Sequence, residues 1–186
     1  MNRKMVMKIA ALAAVVLMCG FSYHNIRKTD AEPSLKEVLL TQLKTTHNKK
    51  EWFVPANIAV EGLTPEQAMW RDKSGNHSVG QLGRHLIFWN DRELTKFKGG
   101  KPAEFSGNNE ETFPNSFDKN SWAETVKKLD QVLSDWESAI EAADEAKLKE
   151  WYTTIANIST HNAYHTGQII FVRKLQGSWD ANKGVK

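Results

Sequence analysis

The chain has 186 residues, enough for one domain with a real hydrophobic core, and it carries 25 basic and 22 acidic side chains. Three basic residues lie within the first 22 residues, which hold no acidic residue; subtracting them from 25 leaves 22 basic against 22 acidic residues, so the charge gives no support for nucleic-acid binding. The single cysteine, Cys19, also lies there, which excludes disulfides, a cysteine nucleophile and thiolate metal ligands from the rest of the chain.

The first 22 residues predict a signal peptide. A basic segment, MNRKMVMK, precedes a 13-residue apolar run, IAALAAVVLMCGF, which is short for a membrane span. The pattern predicts an exported protein of the bacterial periplasm or cell envelope, with residues 1–22 removed. Two alternatives stay open. In the first, residues 1–22 are retained as a membrane tether. In the second, the protein is a lipoprotein attached through Cys19, although Met18 stands where such a site usually has a small residue.

Residues 23–33 are polar and predict a tether ahead of a domain that spans residues 34–186. Ser34, with Glu37 three positions later, forms the pattern of a capping box. Apolar residues then recur at helical spacing as far as Val54, where a proline follows. A first long helix is therefore predicted from Ser34 to about Val54.

Two further helix starts follow in the chain. Thr64 has the character of an N-cap, with a proline after it, and opens a short helix to about Trp70. Ser78 and Gln81 form another capping-box pattern, which predicts a second long helix that ends at the glycine pair beginning with Gly99.

The second half of the chain predicts a long loop and two more long helices. Residues 100–120 are rich in Gly, Pro, Asn and Ser, and such a long loop is either a functional lid or simply mobile. Ser121 and Glu124 predict a capping box for the third long helix. A charged, solvated stretch follows, and the last helix is expected from about Ile155 to Gln176.

Helical patterns account for the chain, and no sustained period-two alternation indicates a strand. Four long helices with a short extra helix, and a long loop between the second and third long helices, predict an all-α four-helix bundle. Four tryptophans on these helices are interpreted as core residues: Trp89, Trp122, Trp136 and Trp151.

Two histidines lie four residues apart in STHNAYHTGQIIF, within the last helix. This spacing places His161 and His165 on one helix face, where two imidazoles can reach one metal ion. A zincin helix would carry its glutamate base where Asn162 stands, so the motif is not that of a zincin. By itself the pair is also compatible with two core histidines that each hydrogen-bond to their own partners.

A third histidine strengthens the metal interpretation. His85 lies on the apolar stripe of the second long helix, between Leu82 and Trp89. Buried imidazoles satisfy one another poorly without a cation, since each neutral ring needs both a donor and an acceptor partner. Three histidines with an open fourth position are typical of a catalytic metal site.

The remaining histidines have plainer interpretations. His47 lies on the inward stripe of the first helix and is interpreted as a satisfied core residue. His77 precedes a helix cap, where a surface or outer-shell role is expected. His24 falls in the predicted tether.

The segments GLTPEQAMWRDKSGNHSVGQLGRHLIFWNDR and STHNAYHTGQIIFVRKLQG resemble the DinB/YfiT-like superfamily over roughly residues 35–177. The resemblance implies an antiparallel four-helix bundle with a three-histidine metal site. Matched residue by residue, the implied ligands are His85, His161 and His165. Zn, Ni and Fe all suit three imidazoles. The predicted secretion signal departs from the commoner pattern of the family, because many relatives look cytoplasmic.

The resemblance also implies two kinds of activity, thiol S-transfer and metal-dependent hydrolysis, on an unknown small-molecule substrate. Export argues against the first, since low-molecular-weight thiols are kept reduced mainly in the cytoplasm. A hydrolase needs a base, and no carboxylate of the motif helices is an obvious one. Asp91 is expected to point away from the site, and Glu93 is the other nearby acid.

A second hypothesis belongs to a different class: a non-catalytic metal-binding or structural bundle, with His47 closing a four-ligand shell. Gln168, three residues after His165, is interpreted either as a residue that orients this ligand or as a helix-packing contact. The sequence leaves open whether the protein forms a homodimer.

Overall fold

The computed structural model describes residues 32–114 and 119–185. The predicted signal peptide, Cys19 and His24 lie outside the described residues. Residues Ser34–Lys186 form one compact unit. Within the described ranges every regular element is helical and there is no strand, which confirms the all-helical class. A search of the same ranges finds no helix with the length and apolar character needed to cross a bilayer.

Six α-helices and two short 3-10 helices follow one another within residues 32–114 and 119–185. In order they are α1 (Leu35–His47), α2 (Ala56–Val60), α3 (Pro65–Met69), α4 (Val79–Phe97), η1 (Asn109–Thr112), α5 (Lys119–Ala142), α6 (Glu145–Leu175) and η2 (Ala181–Lys183).

Two of the predicted capping boxes are present, at the start of α1 and at the start of α4, the helix that carries His85. Ser34 accepts the Glu37 N–H at 3.2 Å, and its own N–H donates to the Glu37 carboxylate at 2.7 Å. Ser78 and Gln81 repeat this exchange at 3.2 and 2.9 Å. Thr64 caps α3 in the same way. These reciprocal bonds satisfy backbone groups that a helix N-terminus leaves without partners.

The first helix is shorter than predicted. α1 ends at His47, and the chain leaves the helix at Asn48. Val54 lies outside any helix, yet it is buried, so its apolar character reflects the core rather than helical periodicity. The unpredicted helix α2 then begins after Pro55, whose extended conformation suits an N-cap position.

The ends of the last two helices also differ from the prediction. Ser121 is not an N-cap, because α5 begins at Lys119 and the Ser121 carbonyl accepts a bond from the Thr125 hydroxyl at 2.7 Å. The last helix begins about ten residues earlier than predicted, where Asp144 accepts the Lys147 N–H at 2.8 Å. The charged stretch is therefore the exposed side of a helix.

The four longest of the described helices pack around a common core. α1 contacts α5 and α6, and α4 contacts the same two helices. Between α4 and α6 lies a buried amide pair, in which Asn90 Nδ2 donates to Asn162 Oδ1 at 2.7 Å. Trp136 Nε1 donates to the Asn90 carbonyl at 3.2 Å, which ties α5 to this point. The amide pair fixes the alignment of the two helices that carry the candidate ligands.

The tryptophans predicted to be core residues divide into two groups. Trp122 and Trp136 are buried, and Trp151 packs against the core while partly exposed. Trp89 is not part of this cluster; it is half-buried at the wall of a surface cavity. The core interpretation is therefore wrong for Trp89.

Candidate metal centre

Three histidines from two helices converge on one point of the interior. His85 comes from α4, and His161 and His165 come from successive turns of α6. One ring nitrogen from each lies within 4.8 Å of those of the other two. The Nε2 atoms of His85 and His161 are 3.0 Å apart. The structure thus brings together all three residues that the sequence singled out.

A hydroxyl fixes the tautomer of His85. The Thr112 hydroxyl donates its proton to the Asn109 carbonyl at 2.6 Å, so its oxygen is left to accept. His85 Nδ1 lies 2.5 Å from that oxygen and must therefore be the N–H donor. The lone pair of the ring is then on Nε2, which faces the other two histidines.

A side-chain amide does the same for His165. Nδ1 of His165 lies 2.6 Å from the side-chain oxygen of Gln168, while the side-chain nitrogen of Gln168 donates to the Tyr164 hydroxyl at 3.2 Å. The His165 ring therefore donates from Nδ1 and leaves Nε2 with a free lone pair. Of the two roles considered for Gln168, the geometry supports the orientation of a ligand.

The environment keeps these rings neutral. Burial, followed by the nearby rings of His165, His161 and His77, lowers the pKa of His85 to about 3. Burial and His165 lower the pKa of His161 to about 4. The pKa of His165 is lowered mainly by burial, against the opposing effect of its bond to Gln168.

An aromatic stack covers His85. The Phe113 ring lies 3.9 Å from His85 and nearly parallel to it, and His77 stacks on the opposite face of Phe113 at 3.8 Å. Gln81 holds this loop in place, because its amide donates to the Phe113 carbonyl at 3.2 Å. His77 therefore lies behind the centre, in an outer position, and not among the ligands.

His47 lies at a separate place. Its Nδ1 is 2.6 Å from Glu137 and its Nε2 is 2.9 Å from Asp130, so it joins α1 to α5. The predicted role as a satisfied core residue matches this geometry. Both ring nitrogens of His47 are engaged by these carboxylates, so His47 does not complete a fourth position at the cluster.

A cavity of about 400 Å³ opens beside His161. Its walls include Trp89 and Ile158, and Glu93 also lines it. Asp91 is exposed, as expected.

Sequence reasoning missed Thr112 and Phe113, and it named Glu93 as a nearby acid without placing it in a cavity. The first two lie in the long loop, where no local pattern marks them. The eight-residue spacing from His85 to Glu93 is the one signal that places the acid near the same helix face.

The chemistry of the donors fits a divalent transition metal. The Nε2 atoms of His85 and His161, 3.0 Å apart, would repel as two lone pairs, and either a proton on His161 Nε2 or a cation between them removes this repulsion. Three Nε2 donors leave a fourth position for water or substrate in a tetrahedral shell.

Comparison with known proteins agrees with this geometry. A family model described as the DinB superfamily matches residues 56–171, a range that contains all three histidines. The chain belongs to the DinB superfamily, as the sequence motifs predicted. No curated protein and no solved structure matches it significantly.

Proposed function

We propose that this chain is an exported metal-dependent enzyme, in which His85, His161 and His165 bind one divalent transition metal ion. The reaction is a hydrolysis or a group transfer on a small molecule. The observation that carries the proposal is the convergence of three neutral imidazoles, with ring nitrogens within 4.8 Å of one another, at the edge of an open cavity.

Zn, Ni and Fe all suit a set of three imidazole nitrogens. Such an ion, when bound, polarises a substrate oxygen or lowers the pKa of a coordinated water. The chain supplies the rest of the site. Thr112 and Gln168 hold two rings in the tautomer that directs Nε2 inward, and Phe113 shields His85 from solvent.

The proposed architecture is an antiparallel four-helix bundle formed by α1, α4, α5 and α6. Its support is the packing of α1 and of α4 against both α5 and α6. In such a bundle a metal site is built from side chains that face inward from neighbouring helices. His85 on α4 and the histidine pair on α6 follow that arrangement.

A catalytic role is favoured over a purely structural metal site. A closed shell would need a fourth protein ligand, and His47 is bound to Glu137 and Asp130 instead. The cavity beside His161 leaves room for a substrate at the open position.

Export rests on the first 22 residues, and it favours hydrolysis over transfer to a reduced thiol. Retention as a membrane tether and lipid attachment at Cys19 are the alternatives. Intact-mass measurement of the secreted protein tests this point, and a start near residue 23 is expected. Retention of Met1 would contradict removal of the signal.

Metal analysis of the mature protein, purified without a histidine tag, tests the metal proposal. One transition-metal ion per chain is expected, and His85→Ala should carry almost none. His77→Ala is the matched control and should keep the ion. A screen of small esters and amides then tests catalysis: turnover should disappear with a chelator and return with added metal. A wild-type protein that holds no metal after incubation with Zn, Ni or Fe would contradict the proposal.

A further inference from the structure

The outward side of α6 carries no charged residue over most of its length. From Trp151 to Val172 the chain runs for 22 residues without Asp, Glu, Lys or Arg. α5 differs, because its exposed positions include charged residues along the helix: Glu124, Lys127, Lys128, Asp130 and Glu141. A helix face that meets only water is normally polar and charged. The outward side of α6 therefore has the character of a contact surface.

Five exposed residues lie along one line of this helix. They are spaced three or four residues apart, which places them on the same side: Thr160, Tyr164, Gly167, Phe171 and Leu175. Tyr164 is 62% exposed and Phe171 is 57% exposed. These five residues form the α6 face.

Apolar residues from two other segments flank the α6 face. Phe53 and Val185 line a small cavity together with Gly167, and both are exposed. Trp52, the neighbour of Phe53, is 99% exposed. Nine large apolar side chains are exposed within residues 32–114 and 119–185, and six of them belong to the α6 face or its flanks. Such a cluster marks an interaction site, whereas single exposed apolar residues do not.

Gly167 leaves the centre of the α6 face open. A Cβ atom at this position would meet nothing within 4 Å, so packing within the chain does not require a glycine here. A glycine inside a helix is less stable than an alanine. Its advantage is that a second helix can approach the backbone closely where no side chain stands between them.

The exposed area is sufficient for a stable dimer. With about 200 Å² for a fully exposed aromatic side chain, the exposed fractions of the six apolar residues amount to roughly 600–700 Å². A standard interface buries about 800 Å² on each partner. The six residues therefore provide most of that area, and the smaller residues between them provide the rest.

A second copy of the chain fits this surface better than a lipid bilayer does. Protein interfaces are poor in charge at their centre and rich in Tyr, Trp and Phe, and two uncharged faces meet without like-charge repulsion. Helices that lie on membranes carry Lys and Arg beside their apolar face, and residues 151–172 contain neither. A glycine at the centre also suits a helix crossing and adds nothing to insertion among lipids.

We propose that two copies of this chain form a symmetric dimer through their α6 faces, with the two α6 helices antiparallel and crossing at Gly167. About a two-fold axis at that point, Tyr164 of one copy lies beside Phe171 of the other. Tyr164 also connects the contact to the candidate metal centre, because its hydroxyl accepts a bond from Gln168 at 3.2 Å. The dimer rests on the α6 face and not on the proposed metal ion.

Analytical ultracentrifugation tests the dimer on mature, metal-free protein. At about 50 µM the wild type should have twice the chain mass, since interfaces of this size bind with micromolar or higher affinity. Phe171→Lys should weaken the dimer about a hundredfold, because it places a charge in an apolar contact. Tyr152→Lys is the matched control: Tyr152 is 53% exposed but lies about 100° around α6 from Phe171, so the dimer should persist. A monomeric wild type, or equal weakening by both variants, would overturn the proposal.

A single cysteine tests where the helices cross. The chain after residue 22 contains no cysteine, so Gly167→Cys introduces the one thiol of the mature protein. Mild oxidation should give a disulfide-linked dimer, because the two Cα atoms at the crossing lie within about 7 Å. Tyr152→Cys at the same concentration should stay unlinked. No link through position 167, or the same yield from both variants, would contradict the crossing at Gly167.

Vesicles of phosphatidylcholine and phosphatidylglycerol test the other occupant of the surface. Mature wild type should remain in the supernatant when the vesicles are sedimented. A monomeric wild type whose binding to vesicles is lost in Phe171→Lys would assign the α6 face to lipid and overturn the dimer. Because every measurement uses metal-free protein, its outcome is independent of whether the histidine cluster holds a metal.

Discussion

Two buried histidine sites lie in the same helical unit and differ in their partners. His47 and His85 are each only 2% exposed. His47 meets a carboxylate at each ring nitrogen, Glu137 at 2.6 Å and Asp130 at 2.9 Å. His85 meets a threonine hydroxyl on one side and another imidazole on the other.

The difference shows that burial alone does not make a histidine a ligand. Carboxylates at both nitrogens occupy both positions of the His47 ring and make it a clamp between α1 and α5. Neutral acceptors at Nδ1 of His85 and His165 leave the Nε2 lone pairs free and directed inward. The partner at Nε2, a carboxylate for His47 and another imidazole for His85, therefore separates a structural histidine from a candidate ligand.

The largest expected effect contrasts the two sites in metal binding. His161→Gln should weaken zinc affinity by about a thousandfold, since two imidazoles remain and an outer partner alone is worth roughly 10–100-fold. His47→Gln should leave the affinity unchanged. Competition with a chromophoric chelator measures both. Equal losses in the two variants would erase the distinction between the sites.

For the stability of the metal-free protein, His47 should matter more than the candidate ligands. His47→Ala should cost about 3 kcal/mol in the free energy of unfolding, because the removal of one partner leaves the largely buried Glu137 carboxylate unpaired. Urea unfolding of the metal-free protein measures this cost. The double variant His47→Ala with Glu137→Gln is the control and should recover part of the loss. An unchanged unfolding midpoint for His47→Ala would mean that the clamp contributes nothing.

The partners at Nδ1 should matter next. Gln168→Leu and Thr112→Val each remove the acceptor that fixes a tautomer, and each should weaken metal affinity by about 10–100-fold. Thr160→Val is a matched control on α6, since its hydroxyl donates to the Ala156 carbonyl of its own helix at 2.9 Å. If both partner variants bind metal like the wild type, the tautomers are not set by these residues.

The smallest effect is the pH dependence of stability in the metal-free protein. The pKa of His85 is lowered to about 3, so below the ordinary value near 6.5 the unfolded chain binds a proton that the folded chain does not. Stability is therefore full above pH 6.5 and falls towards pH 3, by at most about 1.4 kcal/mol per pH unit for this ring.

The contribution of His85 to this pH dependence is measured by comparing the unfolding free energies of metal-free wild type and His85→Gln between pH 6.5 and 5. The carboxylates of Glu37 and Glu61, whose pKa values are also lowered, titrate below this window. The variant should show the shallower slope. Parallel curves would show that His85 is as accessible to protons in the folded chain as in the unfolded one.

Features set by a few neighbouring residues could be predicted from the sequence. The capping boxes at Ser34 and Ser78 depend on side chains three residues apart. The histidine pair depends on a spacing of four, and the inward position of His85 follows from the apolar stripe around it. The family motifs then joined the three residues into one site.

Features set by distant packing could not be predicted. Thr112 and Phe113 reach His85 across 27 residues or more of sequence, from a loop without periodicity. The start of α6 was missed because its first turns bury little beyond Leu148 and face solvent with charged side chains. The position of Glu93 in the cavity depends on where α6 lies beside α4.

X-ray absorption at the zinc K-edge of zinc-loaded protein is the most direct test of the metal centre. The wild type should show three imidazole nitrogens at about 2.0–2.1 Å and one exchangeable oxygen ligand. His47→Gln should give the same spectrum, and His165→Gln should lose one imidazole from it. A shell of oxygen ligands in the wild type, or an imidazole signal that depends on His47, would contradict the assignment.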